Sequence, residues 1–174
     1  MRVLTMLSVV VAFSSALSAQ TVGNAATRLA QEEDIRETVI RYQIGQWSRK
    51  GVENKSADKD YAKQKDAGHS NLTVCFISIN GTAPSDEFLK RFGDVPMSVR
   101  KFSRAKEHFV ISDRKTHEEG IILAISEIRW RSDSLVQVDG RFRTCSSCGW
   151  SQTYTVRLEN GKWVVTSSKL TGMS

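Results

Sequence analysis

Three runs of strand-forming residues, Leu135 to Thr144, Trp150 to Leu158 and Lys162 to Thr166, follow one another so closely that the C-terminal third of the chain has little choice of fold. Glu159-Asn160-Gly161 joins the second to the third, and Asn-Gly between such runs specifies a tight hairpin turn because both residues accept positive φ. Cys145-Ser146-Ser147-Cys148-Gly149 joins the first to the second. The expectation is a meander of twisted antiparallel sheet, which upstream residues must cover.

The cover is legible near the other end. From Thr27 to about Trp47, Ile35, Val39 and Tyr42 fall at i, i+4 and i+7, and Ile40, Ile44 and Trp47 repeat that spacing one face over. This broad apolar stripe predicts a helix. Glu32, Glu33 and Asp34 near its start and Arg49 and Lys50 near its end suit the helix dipole. Gly51 to Gly68 has few large apolar residues, and a polar helix through Ala57 to Ala67 is expected there rather than a long structureless loop. Leu72 to Ile79 is apolar on both faces and ends at Asn80-Gly81, so it reads as an interior strand. Ser85 then caps a short helix through Gly93, with acids early and bases late. Val99 to Arg104 and Phe109 to Ser112 are short strand-like pieces. Gly120 to Arg131 is a long strand whose inner face stays open, since Glu127 and Arg129 continue the parity of Ile121.

At 174 residues the chain suits one domain. Arg2, an apolar run from Val3 to Phe13 and a small, polar exit to Gln20 describe a secretory signal peptide, with cleavage after Ser18 or Ala19. The run is shorter than the ~20 residues of a membrane span. Residues 1–19 are thus expected as signal, 20–30 as a mobile segment, 31–170 as the domain and 171–174 as a tail. Losing Arg2 lowers the formal net charge from +6 to +5. The bases are interspersed with acids, so a solvated surface is expected rather than a nucleic-acid interface.

The order of elements, together with Cys75-Phe-Ile-Ser-Ile-Asn-Gly, Pro84-Ser-Asp-Glu-Phe-Leu-Lys-Arg-Phe and Gly161-Lys162-Trp163-Val164-Val165, resembles the nuclear-transport-factor-2-like, or cystatin-like, cone in a group of small exported bacterial proteins. The resemblance covers about Gln31 to Leu170. It implies an α+β fold in which a long N-terminal helix and short helices pack on a strongly curved antiparallel sheet. Such folds host enzymes, binding modules and assembly domains alike, so function must come from the site. The enzymes among them use an acid or a histidine inside the cone. Here only Tyr42 on the first helix and Glu127 in the central part of a strand could face such a pocket, His69, His108 and His117 lie in polar segments without ligand spacing, and no acid, base and orienter set carries over.

Tyr42, Trp47, Glu127, Trp130 and Tyr154 are the candidate lining of a small pocket between helix and sheet. A two-residue Ser146-Ser147 turn would put Cys145 and Cys148 opposite each other with Cα atoms about 5.5 Å apart, within disulfide reach. Strands on both sides favour a structural clamp over a redox or metal centre. Cys75 is then the odd thiol, a small hydrophobe in its strand. The resulting expectation is an exported protein, periplasmic or extracellular, acting as a non-enzymatic binding or interaction module. Its partner would be a protein or a small apolar ligand, with no cofactor, metal, nucleic acid or membrane span. A hydrolase or isomerase using Glu127 or Tyr42 is the first alternative. A homodimeric assembly domain paired through the outer sheet face is the second.

Overall fold

Four long C-terminal strands build most of the protein, and the middle two of them alternate buried with half-exposed residues. The computed structural model describes residues 14–47 and 72–173, with side chains from residue 27 onward. Two compact units divide between Glu32 and Glu33. The described part of the first is helical, within helix α1 (Ser14–Trp47); the second holds the Glu33–Trp47 part of α1 and all the strands. The expected polar helix through Ala57 to Ala67 and residues 1–13 of the expected signal lie outside the described residues.

Helix α1 begins well before Thr27 and takes in residues 20–30, for which a mobile segment is expected. No proline interrupts Ser14–Trp47, and alanines at 16, 19, 25, 26 and 30 favour helix. Glu33 and Asp34 are consequently not first-turn acids, and their role differs from the dipole reading. Arg91 takes Glu33 at 3.2 Å, Asp34 at 2.8 Å and Glu37 at 3.0 Å, while Arg41 bridges Glu37 at 2.7 Å and Asp94 at 2.9 Å. This network ties the second unit's part of α1 to the segment after helix α2 (Asp86–Lys90). As expected, α2 is capped by Ser85, whose Oγ accepts from the Phe88 amide at 3.1 Å.

The strands are β1 (Val74–Ile79), β2 (Ser98–Lys101), β3 (Ala105–Glu107), β4 (Ile111–Asp113), β5 (Gly120–Ser132), β6 (Leu135–Arg143), β7 (Gly149–Glu159) and β8 (Lys162–Met173). Six of them form one open sheet in the order β2-β1-β5-β6-β7-β8, and β3 pairs with β4 alone. The sheet is mostly antiparallel. The expectation of an antiparallel sheet needs correction at β1, which runs parallel to both its neighbours. Parallel pairing requires a crossover of a dozen or more residues, and the α2 segment between β1 and β2 supplies one. It also matches the burial of β1 on both faces. The Asn160-Gly161 turn forms as expected, with φ of 50° and 75°, and Asn80-Gly81 makes the same turn at 50° and 77°. Strand β8 runs past Thr166 to Met173, so most of the expected tail is strand.

The inner face of β5 is settled by a bulge. Ile125 pairs with Gly140 and Ile128 with Val138, so β5 carries one residue more than β6 between them. The extra residue reverses parity. Ile121, Leu123 and Ile125 before it, and Ile128 and Trp130 after it, all face the core with Ile35, Val39, Ile40 and Ile44 of α1. Glu127 and Arg129 fall outside this core. A smaller apolar cluster lies on the opposite face, where Ala105 and Ile111 cover Val74, Phe76 and Ile122. Below it Asp113 is fully buried. Burial alone would raise its carboxyl, but hydrogen bonds from Arg104, the Lys115 and Thr116 amides and Arg100 outweigh that and hold it well below the ordinary carboxylate range.

Two outcomes follow from this packing. A Cβ at Gly140 would lie 2.8 Å from Cε2 of Tyr154, 3.0 Å from Nε2 of Gln43 and 3.1 Å from the Ala124 carbonyl oxygen. Gly140→Ala should therefore lose about 2 kcal/mol, measured from the urea midpoint. Asp113→Ala should lose about 3 kcal/mol at pH 7. Because the folded carboxyl is held low, its contribution is complete above the unfolded carboxyl's range and is lost as pH falls from about 5. The gap between wild type and variant should thus close on acidification; a constant gap down to pH 2 would contradict the ion-pair account.

Candidate functional site

Alternation along β5, β6 and β7 decides which expected site residues can meet. Tyr42, Trp47, Trp130 and Tyr154 belong to the inner face and pack as rings. Tyr42 meets Tyr154 edge-on at 5.8 Å, Trp47 meets Phe142 at 5.1 Å and Trp130 meets Trp163 at 5.6 Å. Tyr154 is completely buried, and burial pushes its phenol above the ordinary tyrosine range despite the Gln43 Nε2 donation to its oxygen at 3.1 Å. It stays a neutral structural phenol. Tyr42 is half-buried, with its hydroxyl 3.4 Å from Oγ of Ser168.

Glu127 does not join this group. The bulge turns it out of the core, its side chain is 66% exposed, and it pairs with Arg129 at 2.9 Å. Glu127 and Tyr42, expected as alternative catalytic groups, thus lie on opposite faces of the sheet, and Glu127 does not enter the space between helix and sheet.

The concavity lies on the sheet face opposite α1. A groove of about 690 Å³ is floored by outward residues of β5, β6 and β7, a volume ordinary for a small-molecule site. Its centre is one row running across the sheet. Ser78 pairs with Ala124, Ala124 with Arg141, Arg141 with Ser151, and Ser151 with Gly172. Outward side chains in register stand side by side, so the large Arg141 is flanked by a methyl group and a hydroxyl. The small neighbours make the trough.

Its walls are stiff. Arg129 grips Asp139 through Nη1 and Nη2, the Nη2 contact being 2.7 Å, and Thr153 donates to Oδ1 of Asp139 at 2.7 Å. The Arg129 hydrogen bond holds Asp139 below the usual carboxylate range, and burial only partly opposes it. At the opposite end Arg143 bridges Glu107 at 2.6 Å beside Phe102 and Ile122. Arg141 differs from both. Its Nε donates to Oγ of Ser151 at 3.2 Å, and it meets no carboxylate among the described residues. The alternation of Arg141 and Arg143 with Gly140 and Phe142 marks them as outward in the sequence. Their Ser78, Ala124 and Ser151 neighbours depend on cross-strand register, which no single run discloses.

The two turn cysteines form a disulfide, with sulfurs 2.09 Å apart and Cα atoms 4.8 Å apart. The expected two-residue turn is corrected. The ladder ends at Arg143 and Gly149, leaving Thr144 to Cys148 as a five-residue turn closed by the Thr144 amide on the Cys148 carbonyl at 3.0 Å. Ser146 also donates from its amide to the His108 carbonyl at 3.1 Å. Cys75 is buried, and burial pushes its thiol up to about 12, so it is an unreactive core residue. His108 stacks edge-on with Phe109 and His117 is exposed; His69 lies outside the described residues. Among the described residues no three or more His, Cys, Asp or Glu gather closely enough to hold a metal ion, and no helix is long and apolar enough to cross a membrane.

No protein-family model, curated protein or solved structure matches the chain.

The disulfide closes a loop of four residues, for which chain entropy gives about 2 kcal/mol. Replacing both Cys145 and Cys148 with Ser should lower stability by about that amount and leave groove binding within about twofold. Loss of binding at full foldedness would instead give the pair a functional role.

Proposed function

We propose that this chain is an exported, non-enzymatic binding module of the cone-like α+β kind, and that its ligand occupies the groove on the sheet face opposite α1. The reading rests on one observation, the trough around Arg141 set between two preformed ion-pair walls. A preorganised concavity with few polar groups is what small-molecule recognition requires. Export is supported by the disulfide, which suits an oxidising compartment. Curvature of the cone kind is supported by the bulges in β5 and in the β7-β8 pairing, since bulges bend strands. A small apolar ligand between helix and sheet is the less favoured location, because the inner-face rings pack against one another there.

Homodimer assembly is the second reading. Strand β8 is a sheet edge of 12 residues, and Val164, Leu170 and Met173 are exposed along it. Sedimentation should detect a dimer at micromolar concentration, abolished by Leu170→Lys; a monomer throughout would remove this reading.

The groove itself is tested by filling it. Ala124 is half-buried on the groove floor, so Ala124→Trp places a ring in the trough without entering the core. Wild type should bind 8-anilinonaphthalene-1-sulfonate saturably, and Ala124→Trp should weaken it about tenfold with an unchanged melting temperature. Equal binding by both proteins would rule out the groove.

A further inference from the structure

We infer that the groove recognises a small organic acid, its carboxylate on Arg141, a flat apolar body over Ala124 and Ile122, and a hydrogen-bonding group at the Ser78 end. This assignment rests on the groove reading above and adds the ligand's chemistry to it.

The first argument is a charge ledger of the lining. Arg129 already faces two carboxylates, Asp139 and Glu127, and Arg143 faces Glu107. Among the described residues Arg141 has only the Ser151 hydroxyl, which it engages through Nε. Both Nη groups therefore remain available on a head already oriented at one edge. A planar guanidinium presented in this way matches the two oxygens of a carboxylate. Ser151 has accepted from Arg141, so its own hydroxyl proton can serve the same anion.

The second argument is independent of the first. Ser78 is only 4% exposed, lines the groove, and its hydroxyl makes no hydrogen bond among the described residues. Its oxygen is open to the groove, where it can donate to or accept from a ligand. Ala124 separates it from Arg141 in the row, so two strand spacings, about 9.6 Å, lie between the two backbones. Between these polar ends the surface is apolar: the Ala124 methyl, with Ile122 and Phe102 one row further on. Polar, apolar, anionic is the sequence of features a ligand must present.

The closing experiment titrates the 15N-labelled protein with 2-naphthoate, its neutral isostere 2-naphthamide, 6-hydroxy-2-naphthoate and inorganic phosphate. The naphthoate should shift the amides of Ala124, Arg141 and Ser151, bind at least about tenfold more tightly than the amide, and lose that advantage in Arg141→Gln. Arg141→Lys should fall between, having charge without the fork. The hydroxyl of 6-hydroxy-2-naphthoate should add about threefold, and Ser78→Ala should remove that increment alone. Phosphate, lacking the apolar body, should bind more weakly than either acid. Equal binding of naphthoate and naphthamide at the groove amides overturns the acid assignment and leaves the groove reading intact. So does naphthoate binding unchanged in Arg141→Gln. Shifts confined to other surfaces, or none, overturn the assignment, and the Ala124→Trp result separately decides whether the groove reading falls with it.

Discussion

One inserted residue in β5 keeps the two faces of the sheet distinct along its whole width. Without the bulge after Ile125, strict alternation would carry Glu127 and Arg129 into the core opposite α1 and send Ile128 and Trp130 to solvent. Burying an acid and a base there would cost far more than the bulge does. With it, Ile128 and Trp130 continue the apolar surface begun by Ile121, and Arg129 arrives on the far side within reach of Asp139. The core and the groove wall are thus consequences of the same irregularity.

The two faces then obey different physics. The inner one is held by area removed from water and by ring contacts, with Gln43 and Tyr154 sharing a hydrogen bond at its centre. The outer one is organised by charge. Arg129 with Asp139, Arg143 with Glu107, and Arg100 and Arg104 with Asp113 are paired guanidinium groups. Pairing of this kind fixes side chains that would otherwise sweep through solvent, which is why a shallow sheet surface keeps a defined concavity.

Much of this fold was legible in the residues. Asn160-Gly161 and Asn80-Gly81 named their turns, Ser85 named its cap, the double-faced apolar run named β1 as interior, and the cysteine spacing named the disulfide. What stayed illegible has a common cause. Local periodicity reports which way a side chain points relative to its own strand, not which strand lies beside it. The parallel partners of β1, the bulge that rescues Ile128, the use of Glu33 and Asp34 by Arg91, and the Ser78-Ala124-Arg141-Ser151 row are all facts of register or of contact across long separations. The expected pocket residues divide between the two faces for the same reason, because Glu127 shares a parity with Ile121 but not a face.

The alternation of Leu123 with Ala124, and of Gly140 with Arg141, has a further consequence for variation. Ala124 and Arg141 are each bracketed in the chain by inward-facing residues while their own side chains face the groove, so they can change size, charge or polarity while the inner face keeps its packing. A row that spans β1, β5, β6 and β7 can in this way be recut one position at a time. The sheet is then a template on which recognition can drift between ligands without passing through an unfolded intermediate, because the main core lies on the other face from the row.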